Sequence, residues 1–457
     1  MIELFEFGKW EPFDHSPDSL RQLLKSVWLS NKSQPVLMDD EQQDNPEYQP
    51  FLSIDGNKIR ANNYVGFIQS DEQLIEIWPK VFKNTSDIGQ SKALMLSHLL
   101  YWFRFCRKWN FPFSTANLAA RDIDHFPELI ISLFANQAFN AVSELPLSMY
   151  QPLEEALQTP RGRVNFSRYI TNGLATGNSH QIDCDHEPFL YDNKVNRVIK
   201  YCCRLLMHQA KLPETQQVLQ KTIFVLDEVE DISCSYQELD VIALNPLFDR
   251  YVELLDSCKL ILINQLYSSQ QDQLSHWCLL FPMEYIYEDF LAGFMQDKFS
   301  KLWKVEYQKS DLYLARGEDG KQVFNLQHDI FLTLKSNHEV KVIIDTKYKL
   351  RDKNYKTDPK KGVSQSDLYQ MVSYALKRGC NQVLLLYPNL DDGTAKPKID
   401  QFLIEAHDTS HQAIKVIAGE VPFWSIHSFD DIEKRLHDHL EHLLNQYIPA
   451  PFRCAND

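Results

Sequence analysis

Along this chain of 457 residues the spacing of apolar and polar positions changes twice, which divides it into three parts. Residues 1 to about 90 read as β-rich: Asp55-Gly56 marks a turn, and Tyr64–Phe82 reads as two strands about a polar turn at Ser70–Gln73, the second stopped by Pro79. Between Asp39 and Glu47, five acids in a segment with Gln, Asn and Pro read as a surface loop. Residues 91 to about 276 carry helical spacing. Leu94, Leu96, Leu99, Leu100, Phe103 and Phe105 give a broadly apolar, buried helix, and Glu128–Val142 follows Pro127 as a second. Gln217–Asp227 is a further helical candidate, Pro160–Phe166 is a basic turn between helices, and Asp192 reads as a helix cap. From about 277 to 457 the pattern is a helix (Met283–Phe299), then strands at Leu302–Tyr307, Leu312–Ala315, His328–Leu334 and Val340–Tyr348. A helix at Asp367–Arg378, strands near Gln382–Tyr387, Lys398–Ala406 and Ala413–Ile417, and a helix near Asp430–Gln446 complete it. This order predicts an α/β domain with a mixed central sheet, in a chain that is α+β overall.

Composition narrows the class. Hydrophobic residues make up 44%, enough to fill real cores, and no run of about 18 apolar residues predicts a membrane span. The opening MIELFEFGKWEPF has neither a basic n-region nor an apolar h-region, so no secretory signal is expected. The 9 cysteines are scattered and form no C-x-x-C pair, which predicts reduced thiols in a cytoplasmic protein rather than a zinc site or disulfide framework. A net charge of -15 excludes a chain that grips nucleic acid with its whole surface, because DNA affinity rests on neutralising phosphates. Any contact must be local or supplied by a partner. One window runs the other way: Lys341–Lys361 holds 8 Lys/Arg against 3 acids. Its Lys349, Arg351, Lys353 and Lys356, with Arg161 and Arg163 around Gly162, are the candidate DNA contacts.

The chemistry concentrates in Val342-Ile343-Ile344-Asp345-Thr346-Lys347, an apolar strand that turns polar at its end. Residues two apart on a strand share a face, so Asp345 and Lys347 must pair or bind something. Asp329 lies sixteen positions upstream on another predicted strand. Two carboxylates brought close repel, and a divalent cation relieves the repulsion. Asp329, Asp345 and the Thr346 carbonyl are therefore candidate ligands of Mg²⁺ (or Mn²⁺), with Lys347 placed to orient or help deprotonate a water, or to neutralise charge on phosphorus. On the next helix Gln370 and Tyr374, four apart, share a face. No G-x-x-x-x-G-K-[ST] loop is present, so no nucleotide binding by this chain is expected.

Asp329 followed by Asp345-Thr346-Lys347 resembles the PD-(D/E)xK nuclease signature, with His328 in the place of its proline, and Gln370 with Tyr374 resembles the Q-x-x-x-Y element of RecB-like members. In many members an acid of the helix before the sheet reaches the metal. Glu288 fits that place, although Glu284 lies on the same face. The full chain resembles the McrC family of modified-cytosine restriction nuclease subunits. Tyr64–Gln69 with Ile75–Lys80, Arg161–Phe166, and Asp192–Lys200 are similar to family segments. That resemblance implies a Mg²⁺-dependent endonuclease of foreign, methylated double-stranded DNA. It also implies a partner, an McrB-like AAA+ GTPase hexamer docked by the N-terminal part and stimulated by this chain. Two alternatives stay open: a non-catalytic assembly subunit of the AAA+ ring, and a stand-alone RecB-like nuclease.

Overall fold

The computed structural model describes residues 1–31, 49–70, 73–83, 88–107, 112, 123–241, 244, 248–265, 276–349, 351, 358–389, 397–405, 413–425 and 429–446. The acidic loop of 39–47 lies outside them. The chain divides into two compact units: Met1–Ile68, Gln73–Asp124 and Leu279–Asp457 form the first, Gln69–Glu72 and His125–Cys278 the second.

In the first unit, strands β1 (Ile2–Phe5), β2 (Tyr64–Gln69) and β3 (Leu74–Trp78) lead to helix α1 (Ile88–Phe105). Strand β4 (Trp277–Pro282) and helix α2 (Met283–Phe299) follow, the helix with the bounds the periodicity predicts. Next come β5 (Trp303–Arg316), β6 (Gln322–Leu334), β7 (Lys341–Thr346), α3 (Gln365–Arg378), β8 (Gln382–Pro388), β9 (Ile399–Ile404), β10 (Ile414–Val421) and α4 (Phe429–Asn445).

The six-stranded sheet runs β5-β6-β7-β8-β10-β9, parallel at β7/β8 and β8/β10 and antiparallel elsewhere, so the expected mixed sheet is present. Its central strands read as near-continuous apolar runs because both faces are covered. α3 lays Met371, Tyr374 and Ala375 on Ile343, Val383, Leu385 and Val416, while α2 packs on β5 and β6 and α4 on β10. The two strands expected at 302–307 and 312–315 are one, β5, with an irregularity between Lys309 and Leu312. α3 starts two residues before the expected Asp367 because Ser364 caps it, accepting from Asp367 N at 3.1 Å.

The N-terminal part is β-rich but not a unit apart. Its sheet runs β1-β3-β2-β4, so its last strand is the one that leads into α2. Division in sequence order at 90 and 276 and division by contact therefore differ. Helix Pro17–Asn31 also went unread, although Leu20, Leu24 and Val27 recur at helical spacing and are buried.

Aromatic packing fixes α1 against the C-terminal part: Trp102 stacks on Phe423 at 4.0 Å, and its Nε1 donates to Phe423 O at 3.0 Å. Beside it His98 is buried and neutral. Its Nε2 accepts from Ser425 N at 3.1 Å, which leaves Nδ1 to donate to Leu94 O at 2.8 Å. Burial holds its pKa down from 6.5 to about 4. A histidine with a depressed folded pKa contributes stability that is complete above 6.5 and lost as pH falls toward 4. Wild type should lose about 2 kcal/mol between pH 7 and pH 5 that His98→Gln does not lose. Urea unfolding midpoints of both proteins at the two pH values measure it, and equal pH slopes would sink the assignment.

The second unit holds helices Phe126–Glu144, Lys194–Met207, Pro213–Val225 and Asp249–Gln265. It also contains an unforeseen small sheet of Leu153–Leu157, Ile182–His186 and Arg163–Val164. The cap of Lys194–Met207 is Asn193, which accepts from Asn196 N at 3.1 Å. Asp192 pairs instead with Arg197 at 2.7 Å. Among the described residues eight cysteines are free, and all are buried.

Candidate active site

The site forms where β7 ends beside the middle of β6. Ile330 pairs with Ile344 and Phe331 with Ile343. One further step of that register sets Asp329 across from Asp345, the separation at which opposed side chains interact. Asp329 Oδ2 accepts from Thr346 N at 2.7 Å and from Thr346 Oγ1 at 2.8 Å, so the chain beyond the ladder orients the carboxylate.

Asp345 is 2% exposed, and its Oδ2 lies 2.7 Å from Lys347 Nζ. Burial and the Asp329 carboxylate push its pKa up from 3.8 to about 7, against the pull of Lys347. Burial would lower the Lys347 pKa, but Asp345, with Asp329 and Asp367, outweighs it and the net shift is upward. Lys347 is thus a fixed cation. It reaches α3, donating to Gln370 Oε1 at 3.3 Å, and Gln370 Nε2 donates to Tyr374 Oη at 2.8 Å. The i,i+4 spacing that put both on one face therefore builds a line from Asp345 through Lys347 and Gln370 to Tyr374. His328, in the proline's place, is buried with its ring 4.5 Å from that of Tyr374.

Of the two helical acids, Glu288 Oε1 accepts from Gln308 Nε2 at 2.8 Å, while Glu284 Oε2 accepts from Asn63 Nδ2 at 2.9 Å. Gln308 lies between the pairs Tyr307↔Ile330 and Lys309↔His328, opposite Asp329, in a left-handed conformation (φ +46°). It is a site residue that sequence reasoning missed, and no motif marks it. Asp367 was missed too. It is buried, pairs with Lys349 Nζ at 3.3 Å, and its charge is felt by both Asp345 and Lys347.

The basic window needs correction. The Arg351 side chain is 0% exposed, with Nη2 2.6 Å from Asp400 Oδ2 and 2.6 Å from Lys361 O, so it ties down the chain before α3 instead of meeting DNA. Lys349 is exposed beside Asp367. Lys353 and Lys356 lie outside the described residues. Arg161 and Arg163 are exposed in the second unit.

The donor set fits a small hard cation: two opposed carboxylates, one of them buried and forced toward protonation, with the Thr346 carbonyl directly after Asp345 in sequence. Lys347 beside it supplies a fixed positive charge. Its aim depends on Gln370, since a flexible lysine without an acceptor samples many rotamers. On the expectation that the site cleaves DNA, Gln370→Leu should lower kcat about tenfold, roughly the 1.4 kcal/mol of one hydrogen bond to a charged group, and leave KM within about twofold. Single-turnover cleavage rates test this, and an unchanged rate would discount the line from Lys347 to Tyr374.

Residues 59–388 match the family model described as McrBC 5-methylcytosine restriction system component. Among solved structures, the chain is similar to one described as a half-complex of Thermococcus gammatolerans McrB AAA+ hexamers with bound McrC. The TM-score is 0.70 at 15% identity, over 97% of this chain and 99% of that one. The cryo-EM structure of the Thermococcus gammatolerans McrBC complex matches over 65% of this chain and 88% of that one, at 16% identity and TM-score 0.49. Comparison with curated protein sequences gives no match.

Proposed function

The chain belongs to the McrBC family of 5-methylcytosine restriction system components, and from that premise we propose that it is the system's DNA-cleaving subunit. The observation that carries the proposal is the Asp345–Lys347 ion pair at 2.7 Å, set at the end of β7 across from Asp329 of β6. Asp329, Asp345 and the Thr346 carbonyl would hold Mg²⁺ or Mn²⁺, and Glu288, bonded to Gln308 opposite Asp329, is the helical acid proposed to complete the set. A bound divalent cation supplies charge neutralisation at the scissile phosphate and lowers the pKa of a coordinated water.

The protein's own groups do the rest. Lys347, held protonated by Asp345 and the neighbouring Asp329 and Asp367, is a donor to the phosphate rather than a base. Gln370 and Tyr374 fix its direction. The buried floor of Ile343, Val383 and Leu385 keeps bulk water from screening these charges.

The substrate in this reading is methylated double-stranded DNA. With a net charge of -15 the chain has little affinity of its own for phosphates. The relative of similar fold is bound to McrB AAA+ hexamers, and a GTPase ring of that kind is the partner we propose here. The N-terminal β-rich part is its proposed docking element, and Lys349, Arg161 and Arg163 are proposed DNA contacts. Among the described residues no helix is long and apolar enough to cross a membrane, and cytoplasmic action accords with cutting incoming DNA.

The deciding experiment is cleavage of 5-methylcytosine-containing and unmodified DNA with Mg²⁺, with and without the AAA+ partner and GTP. Cutting of the methylated DNA that requires partner, GTP and Mg²⁺ is expected. Partner activation of GTP hydrolysis without any cutting would favour the assembly-subunit reading, and cutting without the partner would favour a stand-alone nuclease.

A further inference from the structure

Pro79 ends β3, and Lys80 opens a short 3-10 turn. On sequence alone it is a strand-terminating surface lysine. In the structure it is 8% exposed and packed against the end of the nuclease strand. Its Nζ donates to Tyr348 O at 2.7 Å and lies 3.9 Å from the centre of the Tyr348 ring. Its backbone N donates to Glu6 Oε2 at 3.0 Å, and the same oxygen accepts from Tyr348 Oη at 2.9 Å. Glu6 and Tyr348 are each 1% exposed. The three residues close a ring of hydrogen bonds in which both ends of Tyr348, carbonyl and hydroxyl, are tied to the N-terminal sheet.

Tyr348 follows Lys347 directly. Lys349 N donates to Lys347 O at 2.7 Å, so the chain makes a γ-turn centred on Tyr348 as it leaves β7. A γ-turn satisfies the carbonyl before its central residue but not the central one, and that orphan is the group Lys80 meets. A buried ammonium is costly unless bonded, and an ordinary surface lysine would have served to stop a strand. The placement goes beyond what ending β3 requires.

We propose that Lys80, with Glu6, is a positioning residue of the nuclease centre: it fixes the turn at Tyr348 and thereby the direction of the Thr346 carbonyl and the Lys347 side chain. This rests on the nuclease reading above. It also gives the N-terminal sheet, the proposed docking element, a direct bond to the catalytic strand.

The test compares wild type, Lys80→Met, Lys80→Arg, Tyr348→Phe and Asp345→Ala in the full chain. Two readouts are taken: Mn²⁺ affinity of the protein without DNA, by electron paramagnetic resonance, and kcat and KM for methylated DNA with the partner present. Lys80→Met should weaken Mn²⁺ binding at least about fivefold and lower kcat at least about tenfold, with KM within about twofold and melting temperature retained. Lys80→Arg should recover most of both, and Tyr348→Phe, which removes only the bond to Glu6, should lie between. Wild-type Mn²⁺ affinity and kcat in a folded Lys80→Met overturn the proposal. If that variant does not fold, wild-type values in Tyr348→Phe overturn it instead. A wild type that neither binds Mn²⁺ nor cuts, like Asp345→Ala, overturns the nuclease reading itself, a result that the variants alone cannot mimic.

Discussion

Asp345→Asn should reduce DNA cleavage at least about a thousandfold in the presence of Mg²⁺ and the partner, roughly 4 kcal/mol of transition-state stabilisation. Asparagine has the shape of aspartate, so the 2.7 Å neighbour Lys347 and the buried floor remain. Only the charge goes, and with it the anionic ligand and the group that keeps Lys347 protonated. The same variant should not be less stable than wild type when melted in EDTA at pH 8. The sign follows from the pKa. Asp345 titrates near 7 in the folded chain against 3.8 ordinarily, so its contribution to stability is complete below 3.8 and is lost as pH rises toward 7. Above that its charge is a standing cost, which asparagine removes. Lost cutting with undiminished melting temperature marks a residue kept for chemistry at the expense of the fold. Cleavage at the wild-type rate would remove Asp345 from the centre, and a large drop in melting temperature would make it a packing residue.

The largest expected effect on stability is at Gly293. α2 carries Glu288 and crosses the end of α1 there, where Arg107 N donates to Asp289 Oδ2 at 2.9 Å. A Cβ at Gly293 would lie 1.7 Å from Phe105 O and 2.8 Å from Phe105 C. Both are main-chain atoms, and the helix they belong to is pinned by the Trp102–Phe423 stack. A flexible side chain could give way, but this backbone cannot without parting the helices. Gly293→Ala should therefore cost at least about 3 kcal/mol, at the upper end for overpacking, and lower the melting temperature of the first unit by on the order of 5–10 °C. Cleavage should fall with the folded fraction rather than through the chemistry. Calorimetry on the purified variant measures it, and a shift under about 2 °C would show that the helices can separate at little cost.

The centre itself was legible because it is built from short-range periodicities. A strand has period two, so D-x-K placed Asp345 and Lys347 on one face, and the 2.7 Å pair is the consequence. A helix places residues four apart together, so Q-x-x-x-Y foretold the 2.8 Å bond from Gln370 to Tyr374. Runs such as Val342–Asp345 announced a strand buried on both faces, and α2 has the bounds its apolar spacing set. Each of these depends on neighbours within one element. The net charge of -15 likewise left DNA contact to be local or supplied by a partner.

What the sequence could not decide depends on residues far apart in the chain. Charge pattern cannot distinguish a solvated arginine from a buried one. Arg351 belonged to a basic window, and only the return of Asp400, 49 positions on, made it an internal tie. Gln308 carries no motif. The irregular strand that turns it toward Glu288 depends on pairing with β6. Lys80 and Tyr348 are separated by 268 positions, so no spacing within one element could foretell their bond. Spacing within one element thus determined which side chains could do the chemistry. Packing between distant elements decided which of them are buried, how they are aimed, and that Glu6 and Lys80 are bonded to Tyr348, the residue after Lys347.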